Sequence, residues 1–162
     1  MLANLSIRES LVGMYDFSQF KSLVQITDQS ASPLLFDILK EYPKLNGLIF
    51  AEPLIVDKIK SDATQEIKSR CRFSSGNFYK HIPFGFKIYL LDDMLNRINE
   101  EQIKSLFSNI SKSTEQYCRV ILTFDKKEKS SDYYEKLLKS FNFVLTNVIY
   151  NDDIGMIETL KM

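Results

Sequence analysis

The first segment with possible chemistry is the turn that links a short apolar run, Leu23–Ile26, to a helical pattern that begins near Leu35. It reads Ile-Thr-Asp-Gln-Ser-Ala-Ser-Pro over residues 26–33 and contains no glycine. Glycine at this place in α/β proteins allows positive φ angles and lets backbone N–H groups approach the polar atoms of a ligand. A chain that keeps the strand and the helix without those glycines is therefore expected to have lost the ligand.

Other reactive residue types are few. His81 is the only histidine, and the two cysteines, Cys71 and Cys118, lie far apart and form no C-x-x-C pair. This set is too small for a structural zinc site, and we expect no metal. A lone histidine beside Pro83 is more typical of an ordinary surface residue than of a catalyst. Both thiols are expected to be small core residues of a reducing compartment.

The composition excludes several classes of partner. Lys and Arg together number 21, as do Asp and Glu, so no net charge attracts nucleic acid or an anionic membrane. The most basic segment, Lys126–Lys129, is interrupted by an acid and is expected to be a solvated loop. No apolar run approaches the ~18 residues of a membrane helix, and Arg8 and Glu9 interrupt the region of a signal peptide. We expect a cytoplasmic protein of one domain, residues 1–162, with residues 1–16 as a short helix or arm.

The elements that must position any site follow from the apolar pattern. Short apolar runs alternate with helical patterns, which indicates a mostly parallel sheet with helices on both faces. Only Asn151–Asp153 separates the last two runs, so these strands must pair antiparallel as a hairpin. The predicted class is α/β with seven strands: Leu23–Ile26, Leu48–Phe50, Arg72–Ser74, Phe86–Leu91, Val120–Phe124, Phe143–Tyr150 and Ile154–Leu160.

Three helices are predicted from apolar residues at helical spacing. The first has Ser32 as its N-cap and Pro33 as its first residue. The second follows Asn99, with Gln102 as the partner in a capping box, and the third follows Ser131. Each apolar face is expected to pack on the sheet rather than to bind a cofactor. These faces are Leu35, Ile38, Leu39 and Tyr42; Ile103, Leu106, Phe107 and Ile110; and Tyr134, Leu137, Leu138 and Phe141.

Local sequence adds a family resemblance to this order of elements. The segments that carry it are Tyr15–Ser18, Phe20–Val24, Glu41–Phe50, Ser75–Tyr79, Ile88–Leu91 and Asn99–Ile110. Together they resemble the catalytic domain of small-molecule O-methyltransferases of the caffeate and hydroxyindole type, which are class I S-adenosylmethionine-dependent enzymes. The resemblance covers most of residues 15–160 and implies a three-layer, Rossmann-like fold. It also implies that the family's N-terminal dimerisation domain and its acceptor-binding insert are missing here.

The positions that bind the cofactor in this family carry different residues in this chain. The resemblance places Gln25 where the first strand normally ends in an acid. Thr27, Asp28 and Ser30 belong to the segment that replaces the glycine-rich loop. We therefore expect these residues to form the first wall of a vestigial cleft, in which Asp28 adds a negative charge where the cofactor's own carboxylate would lie.

Further along the chain, the resemblance assigns the sugar and adenine positions. Ala51 stands where an aspartate binds the ribose hydroxyls, and Glu52 beside it is the only possible stand-in. Asn77 replaces the next acid, and Phe78 follows it in the loop where the adenine ring would stack. Loss of two charged hydrogen bonds would cost about 3–6 kcal/mol, or roughly two to four decades of affinity.

The last family positions follow the fourth strand. Asp92 replaces a lysine, and Asn96 stands where a histidine would remove the proton from the acceptor hydroxyl. An amide has no useful basicity near neutral pH, so Asn96 cannot perform this step. We expect no catalytic residue here.

Three functions are compatible with these residues. The first is a catalytically inactive methyltransferase-like domain that needs no cofactor and binds a protein partner or regulates one. The second is an active S-adenosylmethionine-dependent O-methyltransferase with a rebuilt site, in which Glu52 binds the ribose, Asn77 the adenine and a partner subunit the acceptor. The third is a domain that binds a different planar ligand on the aromatic cluster Phe78, Tyr79, Phe84 and Phe86.

Overall fold

One seven-stranded sheet forms the centre of the computed structural model, which describes residues 12, 13, 15–151 and 153–162. All seven predicted strands are confirmed, and only the fourth begins later than expected, because Phe86 packs edge-on against Tyr89 instead of joining the sheet. The predicted arm at residues 1–16 lies largely outside the described residues. The strands are β1 (Ser22–Ile26), β2 (Asn46–Ala51), β3 (Cys71–Ser75), β4 (Ile88–Asp92), β5 (Arg119–Asp125), β6 (Phe143–Tyr150) and β7 (Ile154–Lys161).

The strand order creates a crevice at the middle of the sheet. The order is β3-β2-β1-β4-β5-β7-β6, and only the pairs that include β7 are antiparallel, as the short Asn151–Asp153 connection predicts. The chain winds outward from β1 to β3 and then returns to place β4 beside β1. In open α/β sheets, ligands bind outside the carboxyl ends of the strands at such a reversal. The crevice between β1 and β4 is therefore the place to look for a site.

The described helices include all three that were predicted, with corrections at two N-termini. The capping box of Asn99 and Gln102 is confirmed. The N-cap of the first helix is Pro33 rather than Ser32, and that of the last is Ser130, whose hydroxyl accepts a hydrogen bond from the backbone N–H of Tyr133. Two further helices were not predicted: in Pro53–Asp62 the exposed Leu54 obscures the apolar stripe, and Gln65–Arg70 has a single apolar residue. The helices are α1 (Leu34–Glu41), α2 (Pro53–Asp62), α3 (Gln65–Arg70), α4 (Glu100–Ser113) and α5 (Ser131–Lys139).

Buried side chains form one cluster on each face of the sheet, which confirms the three-layer arrangement. Because side chains alternate along a strand, Val24 of β1 faces the cluster of α4 and α5, whereas Leu23 faces the cluster of α1. Cys71 and Cys118 are free thiols buried in these clusters, as predicted, and burial raises the pKa of the Cys71 thiol to about 12. None of the described helices has the length and apolar character needed to cross a membrane.

Candidate functional site

The candidate site is the crevice at the carboxyl edge, the edge of the sheet at which β1 to β5 end. Gln25 lies on β1 beneath it and is 2% exposed. Its side-chain oxygen accepts a hydrogen bond of 2.8 Å from the backbone N–H of Leu35 in α1. The first N–H groups of a helix lack partners within the helix, so a buried acceptor there stabilises the N-terminus. The residue that stands in the acid's place thus joins the sheet to α1.

The turn after β1 is closed by its own side chains. Thr27 is buried, and its hydroxyl accepts a hydrogen bond of 3.2 Å from the backbone N–H of Gln29. The Thr27 N–H in turn donates to the carbonyl of Phe50 at 3.1 Å, which ties the turn to β2. Ser30 is exposed. Thr27 therefore fixes the conformation of the turn, because its hydroxyl is hydrogen-bonded to the backbone of the turn itself.

An ion pair crosses the crevice from this turn to the segment after β4. Nη2 of Arg97 lies 2.7 Å from Oδ1 of Asp28, and Nε lies 3.3 Å from each carboxylate oxygen. The two side chains are only 28% and 22% exposed. Burial lowers the pKa of Arg97, but the hydrogen bond with Asp28 and the charges of Asp28, Asp93 and Asp92 together raise that pKa above its usual value. Arg97 therefore stays charged, and this Asp28–Arg97 bridge joins the two sides of the crevice.

Arg97 also binds the segment that ends β4. Its Nη2 donates to the carbonyl of Asp92 at 3.3 Å, and its Nη1 lies 3.6 Å from Oδ2 of Asp93. The Asp92 carboxylate accepts a hydrogen bond of 2.6 Å from the hydroxyl of Thr123 on β5. The backbone N–H of Asp93 donates to the same hydroxyl at 2.9 Å. Asp92, which stands in the place of a lysine, is therefore held against β5.

Asn96 is engaged at both ends of its amide. Nδ2 donates to the Asp93 carboxylate at 2.6 Å, and Oδ1 accepts a hydrogen bond of 2.9 Å from the phenol of Tyr134. Tyr134 belongs to α5 and is 1% exposed, and burial raises its pKa. Burial also raises the pKa of Asp93, although the Asn96 hydrogen bond and the Arg97 charge oppose the shift. The residue in the histidine's place thus completes a chain of polar contacts from Tyr134 through Asp93 and Arg97 to Asp28.

The β2 side of the crevice carries one exposed carboxylate. Ala51 is the last residue of β2 and is fully buried, and its carbonyl accepts a hydrogen bond of 3.0 Å from the backbone N–H of Gly76. Glu52 follows as the exposed N-cap residue of α2. Burial, followed by the negative charges of Asp28 and Glu52, raises the pKa of Tyr79. Glu52 is thus an acidic side chain at the carboxyl end of β2.

The adenine region is built differently from the aromatic cluster considered from the sequence. Asn77 uses its side-chain oxygen to accept a 2.9 Å hydrogen bond from the backbone N–H of Tyr79. Phe78 is 2% exposed and packs in the core of α4 and α5, whereas Phe84 is 81% exposed. Phe86 packs against a residue of β4. Phe78 contacts Tyr79 edge-on, with ring centroids 4.6 Å apart, and Tyr79 and Phe86 pack against the same core. Phe84 alone of the four lies in solvent, so the four residues do not form one stacking surface.

Several positions that the family resemblance assigns to S-adenosylmethionine carry other contacts or an apolar side chain in this structure. The oxygen of Gln25 is occupied by α1, and the Asp28 carboxylate is occupied by Arg97. Ala51 has no polar side chain, and Glu52 is the remaining acid beside β2. In the described residues, no cluster of three or more His, Cys, Asp or Glu side chains is arranged to hold a metal.

Sequence reasoning identified Asp28 and Asn96 but missed their partners Arg97, Asp93 and Tyr134. A signal for Arg97 was available, because β1 and β4 are neighbours in this fold, and the segments that follow them carry Asp28 and Arg97, which have opposite charges. Nothing comparable pointed to Tyr134, since its spacing in α5 is that of an ordinary core residue.

Comparisons with known proteins agree with this architecture. A phenazine O-methyltransferase, PhzM of Lysobacter antibioticus, is 24% identical over 117 residues, which are 72% of this chain and 34% of that protein. The mitomycin biosynthesis 6-O-methyltransferase of Streptomyces lavendulae is 22% identical over 143 residues, which are 85% of this chain and 41% of that protein. The solved structure of the mitomycin 7-O-methyltransferase MmcR superposes with a TM-score of 0.89 at 17% identity, over 99% of this chain and 54% of MmcR.

This chain thus spans less than half the length of the curated relatives it matches and about half of the solved structure. At this level of identity the solved structure shows a shared fold. The sequence model of the O-methyltransferase domain matches residues 3–150, which is most of the chain. The chain therefore belongs to the O-methyltransferase domain family.

Proposed function

We propose that this O-methyltransferase-family domain does not use S-adenosylmethionine and acts by binding a protein partner, as a scaffold or regulatory module. The observation that carries the proposal is the Asp28–Arg97 bridge across the crevice between β1 and β4. The fold's ligands bind at this reversal of strand order. Here two side chains of the protein itself meet at that place.

The bridge opposes a ligand in two ways. A ligand at the reversal must first separate Asp28 from Arg97, and for a pair that is about one quarter exposed this costs about 1–2 kcal/mol after allowance for solvent screening. Separation also leaves the Asp28 carboxylate unpaired, across the crevice from the Asp92 and Asp93 carboxylates. Their combined charge repels the carboxylate that the methionine part of the cofactor carries.

The sugar end of the cofactor has lost its main contact. Ala51 at the end of β2 offers no side-chain acceptor, and a missing charged hydrogen bond costs about 1.5–3 kcal/mol. Added to the cost of opening the bridge, the deficit reaches roughly two to four decades of affinity. A micromolar site would become a millimolar one, above the concentrations at which a cofactor is useful.

A binding role is supported by apolar side chains on the surface. Leu54, which is 84% exposed, follows Glu52 and Pro53 in the first turn of α2, at the carboxyl edge. Phe84 in the connection between β3 and β4 is 81% exposed. We propose these two exposed side chains as contacts for the partner protein.

A second candidate is an active O-methyltransferase with a rebuilt site, and one observation favours it. The Glu52 carboxylate is exposed directly after the end of β2. Glu52 lies one residue beyond the position that binds ribose in the family that the chain resembles. The curated relatives are named O-methyltransferases. In this candidate Arg97 must leave Asp28 when the cofactor enters.

Calorimetric titration of the purified protein with S-adenosylmethionine and S-adenosylhomocysteine, up to about 5 mM, separates the two candidates. We expect no saturable heat and no rise in melting temperature, because the estimated deficit places binding near or above the millimolar range. The same titration of an Arg97→Met variant measures binding to a protein that lacks the bridge, and Lys136→Met on α5 is the matched control. Saturable binding by the unmodified protein below about 0.5 mM, abolished in Glu52→Gln, would establish the second candidate instead.

A further inference from the structure

A second concave region lies on the opposite side of the molecule, at the amino edge of the sheet. It is a groove of about 510 Å³ where β1, β2 and β3 begin. Its lining includes the cationic side chains of Lys21, Lys68, Arg70 and Arg72, and contains no Asp or Glu. The chain as a whole carries no net charge, so this groove is a local concentration of positive charge.

Arg70 is the structural member of this group. Its guanidinium donates hydrogen bonds to the carbonyls of Tyr42 and Leu45, at 3.2 and 3.0 Å, and to that of Leu39 at the end of α1. Its side chain is 18% exposed, and exposed Glu66 lies 3.8 Å away. The carbonyl contacts fix Arg70 in one position and leave its charge only partly balanced.

The side chains of the other three cationic residues are exposed, and none of them forms a hydrogen bond or an ion pair with the described part of the chain. They are Lys21 before β1, Lys68 in α3 and Arg72 in β3. The register places Ser22 beside Asn46 and Gly47 beside Cys71, so Lys21 and Arg72 extend from strands two places apart. Since neighbouring strands are ~4.8 Å apart, these strands begin within about 10 Å of each other. One ligand with two anionic groups can span that distance.

From this arrangement we propose that the amino-edge groove binds a small polyanion, a molecule that carries two or more phosphate or carboxylate groups. Lys21, Lys68 and Arg72 supply the charges, and Arg70 fixes the floor. Phe86 lines the same groove and is half-buried, so it provides an apolar surface for the rest of such a ligand. The carboxyl edge, which holds Asp28, Glu52, Asp92 and Asp93, is acidic and would repel the same molecule. This proposal is independent of the proposed function, because it concerns the other edge of the sheet.

Calorimetry with pyrophosphate and with citrate tests the site and distinguishes a phosphate ligand from a carboxylate one. We expect saturable binding of at least one probe at about 50 mM NaCl, weakened at about 500 mM because salt screens exposed charges. The double variant Lys68→Gln, Arg72→Gln should weaken binding about 10-fold or more, since two ionic contacts are lost. Both residues are exposed, so the fold should tolerate the change.

The matched control is Lys136→Gln, Lys139→Gln on α5, which removes the same charge from exposed positions beside the other end of the sheet. Binding in this control should equal that of the unmodified protein. Equal weakening in both double variants would show attraction to net charge alone and would overturn the proposal, as would the absence of saturable binding for both probes. If the groove variant loses helical circular dichroism, Lys21→Gln replaces it, with the same result expected at about 3- to 5-fold.

Discussion

The Asp28–Arg97 bridge should be measurable as a coupling energy in solution. The perturbation is a double-mutant cycle of Asp28→Asn and Arg97→Met, which removes each charge while it retains most of the side-chain volume. Exposed ion pairs contribute 0.2–1 kcal/mol, roughly, and breaking a buried pair costs about 3–5 kcal/mol. A pair that is 22% and 28% exposed, with contacts of 2.7 and 3.3 Å, lies between these cases. We expect a coupling of about 1–2 kcal/mol.

The assay is urea unfolding of the four proteins of the cycle at low and high salt. The matched control is the Lys58–Asp62 pair of α2, which is 61% and 58% exposed with a distance of 3.3 Å, and should couple by at most about 0.5 kcal/mol. The Arg97→Met variant alone should lower the melting temperature by about 2–6 °C. A coupling no larger than that of the control pair would refute the reasoning, because the crevice would then not be bridged in solution.

Three further predictions concern the same network and the core. The Asp93→Asn variant should become more stable relative to the unmodified protein as pH rises through the titration of Asp93. Burial raises the pKa of Asp93 in the folded state, so this carboxyl favours folding only while it is protonated. Urea unfolding between pH 3 and 7 measures the difference in stability, and a difference that shrinks with rising pH would contradict the prediction. Tyr134→Phe should cost about 1–2 kcal/mol, since it leaves the Asn96 oxygen without its donor, and unchanged stability in thermal unfolding would mean that this hydrogen bond is absent. Gly155→Ala should lower the stability of the protein in thermal unfolding by about 1–3 kcal/mol, because the new Cβ would lie 2.3 Å from the buried ring of Phe124. Unchanged stability would show that the ring can move.

The fold could be predicted almost completely from the sequence because its signals are local and repeated. Each strand is a short apolar run, and the connection Asn151–Asp153 is too short for anything except a hairpin. Errors occurred where neighbouring residues serve equally well. Ser130 and Ser131 are both suitable N-caps, and spacing alone does not distinguish them. The helix α2 escaped notice because its exposed Leu54 obscures its apolar stripe.

The candidate site was only half predictable. The glycine-free turn and Asn96 depart from the family pattern, and such departures can be recognised by comparing single positions. The function of Arg97 depends on a contact with Asp28, 69 positions away in the sequence, and that contact exists only once β1 and β4 lie side by side. The same is true of Gln25. From the sequence it was a replacement for the family's acid, and in the structure its side-chain oxygen accepts a hydrogen bond from α1.

The most direct test of the central claim is a crystal structure of the protein grown with about 5 mM S-adenosylhomocysteine. The account predicts that Arg97 remains on Asp28 and that the space between β1 and β4 contains no nucleoside density. Density for the nucleoside there, with its ribose hydroxyls on the Glu52 carboxylate and Arg97 turned away, would contradict it.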